Sequence, residues 1–174
     1  MSIKTIFVDR DGVINKEVNY LHKIKDFKFI DGVLKSLIYL NNLGYEVIIV
    51  TNQSGIGRGY FSENEYNELT SWMFNQFEKN NIKVLSIFHC PHHPKTKCEC
   101  RKPKPGMFFD AIAKYKIDAA KSWMIGDSER DITAANLAGI KNTVLVRSGH
   151  NIDESHSKAS YLLDSIKDIN QIIY

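Results

Sequence analysis

The chain of 174 residues has little of anything that would set it outside the ordinary globular range. Its three cysteines are an odd number confined to positions 90 to 100, which excludes the disulfide framework of a small secreted domain. Four prolines and ten glycines leave no linker-like tract, and no segment repeats or is of low complexity. Apolar runs are short: Tyr45 to Val50 contains Glu46, and nothing approaches the roughly 20 residues that cross a bilayer. The N-terminus passes through Lys4 straight into a strand pattern, without a signal region, so a cytoplasmic address is expected. The charge excess is +3, from 23 basic and 20 acidic residues, too mild for a general nucleic-acid binder. What is present is 43% hydrophobic and 25% charged residues, enough to build a core. The length suits one domain spanning residues 1–174, and a monomer without nucleic-acid or membrane partners is expected.

Periodicity alternates between two kinds of element. Strand patterns occur at 5–8, 46–50, 84–89, 122–125 and 143–146; helical spacing occurs at 32–43, 62–79, 105–115 and 131–138. Ser62 with Glu65 reads as a capping box, and Gly44 as the stop of the first helix. Trp72, Phe74 and Phe77 read as core positions, and Lys23, Lys25 and Lys28 as a solvated face. The stretch 148–160 reads as a mobile polar loop, and 161–174 as a short strand or turn followed by a last helix. Repeated β-α units predict an α/β fold with a Rossmann-like parallel sheet and helices on both faces. Ligands of such sheets collect beyond the carboxyl ends of the strands, where three of these strands end in Asp9, Thr51 and Asp127.

Two clusters carry candidate chemistry. In Asp9-Arg10-Asp11-Gly12, carboxylates two residues apart beyond a strand can converge on one phosphorus centre, one as nucleophile and one as proton donor. A lone D-x-D is more often a solvated turn that caps backbone amides, so the pair needs its context. The second cluster is Cys90-Pro91-His92-His93 through Cys98-Glu99-Cys100. Three thiolates and an imidazole match a closed tetrahedral zinc site, which leaves no open catalytic position and points to a structural staple. The bland reading, buried apolar cysteines, conflicts with flanking Lys95, Lys97 and Glu99.

Taken together, the motifs resemble those of the haloacid dehalogenase superfamily of phosphatases. Ile6-Phe7-Val8-Asp9-Arg10-Asp11-Gly12 matches its first motif, Thr51 its second, Lys102 in Arg101-Lys102-Pro103 its third, and Asp127 to Asp131 its acidic fourth. Within it, the stretches 9–15, 51–59, 90–94 and 98–107 resemble the heptose bisphosphate phosphatase branch, with histidinol-phosphate phosphatases as the neighbouring branch. The resemblance implies a fold with minimal cap and a zinc-stapled loop at 90–100. It also implies Asp9 as nucleophile, Asp11 as general acid and base, and Thr51 and Lys102 on the transferring phosphoryl group. Mg²⁺ is expected on Asp9, Asp127 and the Asp11 carbonyl, since hard oxygen ligands suit that ion. Zinc is expected on Cys90, Cys98, Cys100 and His92, the last preferred to His93 because the family pattern is C-x-H. Asn52, Gln53, Ser54, Arg101 and Tyr20 are implied as contacts to a small phosphorylated sugar, with Glu17 to Tyr20 over the mouth of the site. Asp131 has two readings: it orients Lys102 or a metal-bound water, or it caps the following helix. A protein that keeps this fold as an inactive zinc-stapled binding module is the opposing class, against which the intact set Asp9, Asp11, Thr51, Lys102 and Asp127 stands.

Overall fold

The computed structural model describes residues 2–174. Six strands form one all-parallel sheet in the order β3-β2-β1-β4-β5-β6. They are β1 (Thr5–Val8), β2 (Glu46–Asn52), β3 (Val84–Cys90), β4 (Trp123–Gly126), β5 (Asn142–Val146) and β6 (Tyr161–Leu163). The helices are α1 (Val33–Asn42), α2 (Ser54–Gly57), α3 (Glu63–Lys79), α4 (Gly106–Tyr115) and α5 (Glu129–Leu137). No helix among the described residues is long and apolar enough to cross a membrane.

Alternation along the central strands sends neighbouring side chains to opposite faces, and each face has its own core. Ile6 and Val8 of β1 and Ile49 of β2 join Leu37 and Leu40 of α1 and Leu69, Met73 and Phe77 of α3. Phe7, Ile48 and Val50 join Met107, Phe108 and Ala111 of α4 and Ala134 and Ala135 of α5. Trp72 and Phe74 pack against the first core, as their helical spacing predicts.

Three local expectations change. Helix α5 begins at Glu129, because Ser128 and Asp131 form a capping box that moves its start two residues upstream. Residues 54–57, which carry no helical periodicity in the sequence, make the short turn of α2. The last helix is a 3-10 helix, Ile166–Gln171, which packs against α1 through Ile166 and Ile169. The Ser62–Glu65 capping box of α3 forms as expected.

The chain builds β1, β2 and β3 to one side and then crosses back to lay β4 on the other side of β1. This switch leaves a crevice beyond the carboxyl ends of β1 and β4, where helices on opposite faces diverge. Asp9 and Asp127, one residue past each strand, stand at its two sides. Leu37 is fully enclosed between α1 and the sheet, so Leu37→Ala is expected to cost about 3 kcal/mol through lost burial and a residual cavity; urea unfolding reads that loss.

Candidate active site

Lys102 is 2% exposed, and each of its three ammonium protons has an acceptor. They go to the Val50 carbonyl at 2.8 Å, Asp131 Oδ1 at 2.6 Å and Asp9 Oδ2 at 3.1 Å. Burial works against the ammonium, but Asp131 and then Asp9 outweigh it and hold Lys102 above the ordinary lysine range. For Asp9 the balance is reversed: burial, aided by Asp131 and Asp11, pushes it up to about 7 against the opposing pull of Lys102. The backbone N–H of Arg10 donates to its other oxygen at 2.7 Å.

Both readings of Asp131 hold at once, one for each oxygen. Oδ1 takes Lys102, and Oδ2 accepts the Ser128 N–H at 3.1 Å in the capping box. One carboxylate therefore ties the start of α5 to the lysine.

Asp11 is held by three side chains. Arg10 Nη2 lies 3.0 Å from either oxygen, Asn15 Nδ2 donates to Oδ1 at 3.0 Å, and Gln53 Nε2 donates to Oδ2 at 2.9 Å. Gln53 also reaches Thr51 Oγ1 at 2.9 Å, while Asn52 exchanges two bonds with the Lys102 backbone, at 3.0 and 3.1 Å. These two amides, expected to face a ligand, are engaged with protein: Gln53 links Asp11 to Thr51, and Asn52 seats the Lys102 segment beside β2.

Asp127 is completely buried, and burial followed by the nearby Asp9 charge raises its carboxyl above the usual range against the hydrogen bonds of His150. Its Oδ2 accepts both the backbone N–H and the ring Nδ1–H of His150, at 2.9 and 2.6 Å. Its Oδ1 is buried without a partner. Carboxylate oxygens of Asp9, Asp127 and Asp131 lie within 4.8 Å of one another. At the base of the crevice, Asp9, Asp11, Asp127 and Asp131 face only two buried cations, Lys102 and Arg10. An orphaned carboxylate oxygen amid surplus negative charge is the donor set of a hard divalent cation, so Asp9 and Asp127 fit Mg²⁺.

These groups line one cavity of about 280 Å³, together with Thr51, Ser54, Tyr20, Arg101 and Lys102. All of the expected catalytic and ligand-contacting residues therefore border one space. Arg58, Arg130 and His150 were not anticipated as functional, and Arg101 stands near enough to both arginines for their charges to act against its own. Burial first, then these neighbours, lower its pKa; a guanidinium nitrogen of Arg58 and another of Arg101 are buried without a partner. Glu17 and His150 also line the cavity. Desolvation at the cavity wall, then the Asp11 charge, push Glu17 up to about 7. His150 comes from the stretch read as a mobile loop; nothing in its local pattern shows that it folds back across 23 positions to Asp127. Tyr20 packs edge-on against Tyr60 at 4.7 Å at the mouth.

Behind the Lys102 segment, Cys90, His92, Cys98 and Cys100 converge. Cys90 Sγ lies 3.8 Å from Cys98 Sγ and 3.5 Å from His92 Nδ1, which lies 3.2 Å from Cys100 Sγ. A zinc tetrahedron with Zn–S of about 2.3 Å and Zn–N of about 2.0 Å has edges of about 3.5 to 3.8 Å; both Cys90 distances match these edges and the His92–Cys100 distance is slightly shorter, so the four donors are close to a zinc cage. His93 turns away, its Nδ1 accepting the Lys95 N–H at 3.1 Å. Desolvation and then the neighbouring Cys90 push Cys100 up to about 12, a thiol that a metal would have to deprotonate. The cluster is braced by Gly57 N–H on the Pro91 carbonyl at 2.8 Å and Gly106 N–H on the Glu99 carbonyl at 3.0 Å.

A parallel sheet with paired aspartates beyond its first strand, and a lysine and a further aspartate beside them, defines a hydrolase of the haloacid dehalogenase-like class. Consistent with that, a family model described as HAD-hydrolase-like matches residues 99–169. The chain is 48% identical over 164 residues to a D-glycero-alpha-D-manno-heptose-1,7-bisphosphate 7-phosphatase of Photorhabdus laumondii, covering 90% of each chain. It is 46% identical over 177 residues to a D-glycero-beta-D-manno-heptose-1,7-bisphosphate 7-phosphatase of Pasteurella multocida, covering 98% of this chain and 96% of that one. A crystal structure of the D,D-heptose 1,7-bisphosphate phosphatase from B. bronchiseptica, complexed with magnesium and phosphate, superposes with a TM-score of 0.85 at 31% identity, over 97% of each chain. The chain belongs to the family of D-glycero-D-manno-heptose-1,7-bisphosphate 7-phosphatases within that class.

Asp131→Ala is expected to destabilise the fold by about 3–5 kcal/mol, because it breaks a buried ion pair. Ser128→Ala, which removes the hydroxyl half of the capping box and leaves the Asp131 bond to the Ser128 N–H, should cost about 1 kcal/mol. A loss in Asp131→Ala no larger than this in urea unfolding would show that capping, and not the Lys102 pair, is what Asp131 contributes.

Proposed function

We propose that the chain is a Mg²⁺-dependent phosphatase that hydrolyses the C7 phosphate of D-glycero-D-manno-heptose 1,7-bisphosphate through an aspartyl-phosphate on Asp9. The observation that carries this reading is the arrangement of charge in one small cavity. Asp9 and Lys102 lie on its floor, and Arg58, Arg101 and Arg130 line the same space. A molecule with a phosphate at each end matches both regions, since guanidinium forks bind phosphate oxygens in pairs. The names of the relatives support the same substrate.

The chemistry follows from the residues. A phosphate dianion and a carboxylate repel each other, so positive charge must precede attack. When bound by Asp9, Asp127 and the Asp11 carbonyl, Mg²⁺ supplies part of that charge to the phosphoryl oxygens. Lys102 supplies more, turning one proton from Asp9 to the incoming phosphoryl oxygen while Asp131 and Val50 hold the other two. Thr51 donates its hydroxyl proton to another oxygen; Gln53, which donates to Thr51 Oγ1, leaves that proton free. The Asp9 carboxylate attacks phosphorus and the C7–O⁻ group departs with a proton from Asp11. Asp11 then takes a proton from water, which attacks the acyl phosphate, releases inorganic phosphate and regenerates Asp9. Ser54, Asn52, Arg101 and Tyr20 border the sugar end, Asn52 acting through the Lys102 segment that it seats.

Zinc on Cys90, His92, Cys98 and Cys100 staples the loop that carries Arg101 and Lys102, one and two residues past the last ligand. The cavity is complete within one chain, which supports a monomer as the active form, and reduced zinc thiolates suit the cytoplasm.

Asp9→Asn should fold normally and release no phosphate, measured with Mg²⁺ and heptose 1,7-bisphosphate; retained turnover would remove the mechanism. For the wild type, kcat/KM on that bisphosphate should exceed that on histidinol phosphate by about 100-fold or more, because the second substrate leaves the arginines unpaired. Comparable values would move the chain to the histidinol-phosphate reading. Purified protein should carry one equivalent of zinc by elemental analysis, and Cys98→Ser should lose the metal and lower both the melting temperature and kcat.

A further inference from the structure

Asp127 is gripped from the connection between β5 and β6. Ser148 Oγ donates to the Gly12 carbonyl at 2.7 Å and latches that connection to the turn after β1. Gly12 and Gly149 lie so close to the Asp127 carboxylate that a Cβ at either position would collide with it. His150 follows and donates twice to Oδ2, from its backbone and from its ring. A carboxylate oxygen can only accept, so the ring carries its proton on Nδ1. The result is asymmetric: Oδ2 is fully engaged by the protein, and Oδ1 is buried without any partner. An unrestrained aspartate would rotate about its side-chain bonds and present either oxygen, or both, to a cation.

We infer that the His150 ring is a positioning residue that fixes Asp127 as a single-oxygen ligand of the divalent cation. The inference rests on the phosphatase reading above, in which Asp127 binds Mg²⁺, and adds a residue from a segment that carries no recognisable motif. The ring borders the cavity, but its Nδ1 is engaged with Asp127 Oδ2, so its effect passes through Asp127. Hydrogen-bond partners of metal ligands set their orientation, and losing one typically weakens metal binding by about 10- to 100-fold. The His150 backbone N–H survives substitution of its side chain, which places the expected effect at the lower end of that range.

The test reads Mg²⁺ binding without turnover, by titration calorimetry and by the Mg²⁺-induced rise in melting temperature. His150→Ala is expected to raise the Mg²⁺ Kd about 10-fold and to shrink the thermal shift, with the melting temperature in chelator unchanged. His150→Asn, whose amide nitrogen can stand in for Nδ1, should return the Kd to within about 3-fold of wild type. An unchanged or tighter Kd in His150→Ala overturns the inference, as does an Asn variant as weak as Ala, which would mark a merely structural loop contact. Asp127→Asn separates the two levels. If it abolishes Mg²⁺ binding while His150→Ala does not weaken it, only the role of His150 fails; if it leaves Mg²⁺ binding intact, the metal-site reading itself fails.

Discussion

A lysine ammonium buried between two aspartates is the constraint on which the rest of the structure depends. Removing such charges from water costs several kcal/mol per ion, and the cost is offset only when geometry and hydrogen bonding are nearly complete. Here the three protons of Lys102 meet three acceptors: Asp9 just after β1, Val50 in β2 and Asp131 in α5. The lysine therefore holds the ends of those elements in register. Its own placement is secured in turn by Asn52, which binds the Lys102 backbone on both sides, and by the loop of Cys90, His92, Cys98 and Cys100 behind it.

That arrangement leaves a local surplus of negative charge, which adds to burial in raising the carboxyls of Asp9 and Asp127. An acidic site of this kind resists a phosphate until cations redress it, so the structure that positions Asp9 also creates a site suited to a metal. The arginines of the same cavity carry the opposite imbalance, with Arg58 and Arg130 both acting against the charge of Arg101. A divalent cation between the aspartates and a second phosphate at the arginines would ease the two surpluses together.

Much of this was legible in the chain. Strands ending in aspartate or threonine are visible because period-two burial and a polar stop are local properties, and they placed Asp9, Thr51 and Asp127 correctly at the crevice. The Cys90, His92, Cys98 and Cys100 cluster is legible because metal-ligand spacing is short-range, and the C-x-H pattern already singles out His92, whose ring joins the thiols while that of His93 turns to the Lys95 N–H. The start of α5 was missed by two residues although Ser128 and Asp131 carry the capping-box pattern. The family resemblance implies Asn52 and Gln53 as ligand contacts, whereas in the structure Asn52 bonds the Lys102 backbone and Gln53 bonds Asp11, partners on other segments that no local pattern reveals.

Sequence by itself determined the parallel α/β order, the two chemical clusters and the residue types that phosphoryl transfer and zinc binding require, since all of these are written in neighbours a few positions apart. Only the tertiary structure decided that Arg58 and Arg130 share a cavity with Arg101, that Asp131 serves Lys102 and a helix cap together, and that His150 steadies Asp127. Those pairings join segments whose separation along the chain leaves no periodic trace; they come into being when the crossover between β1 and β4 brings distant loops to the same end of the sheet.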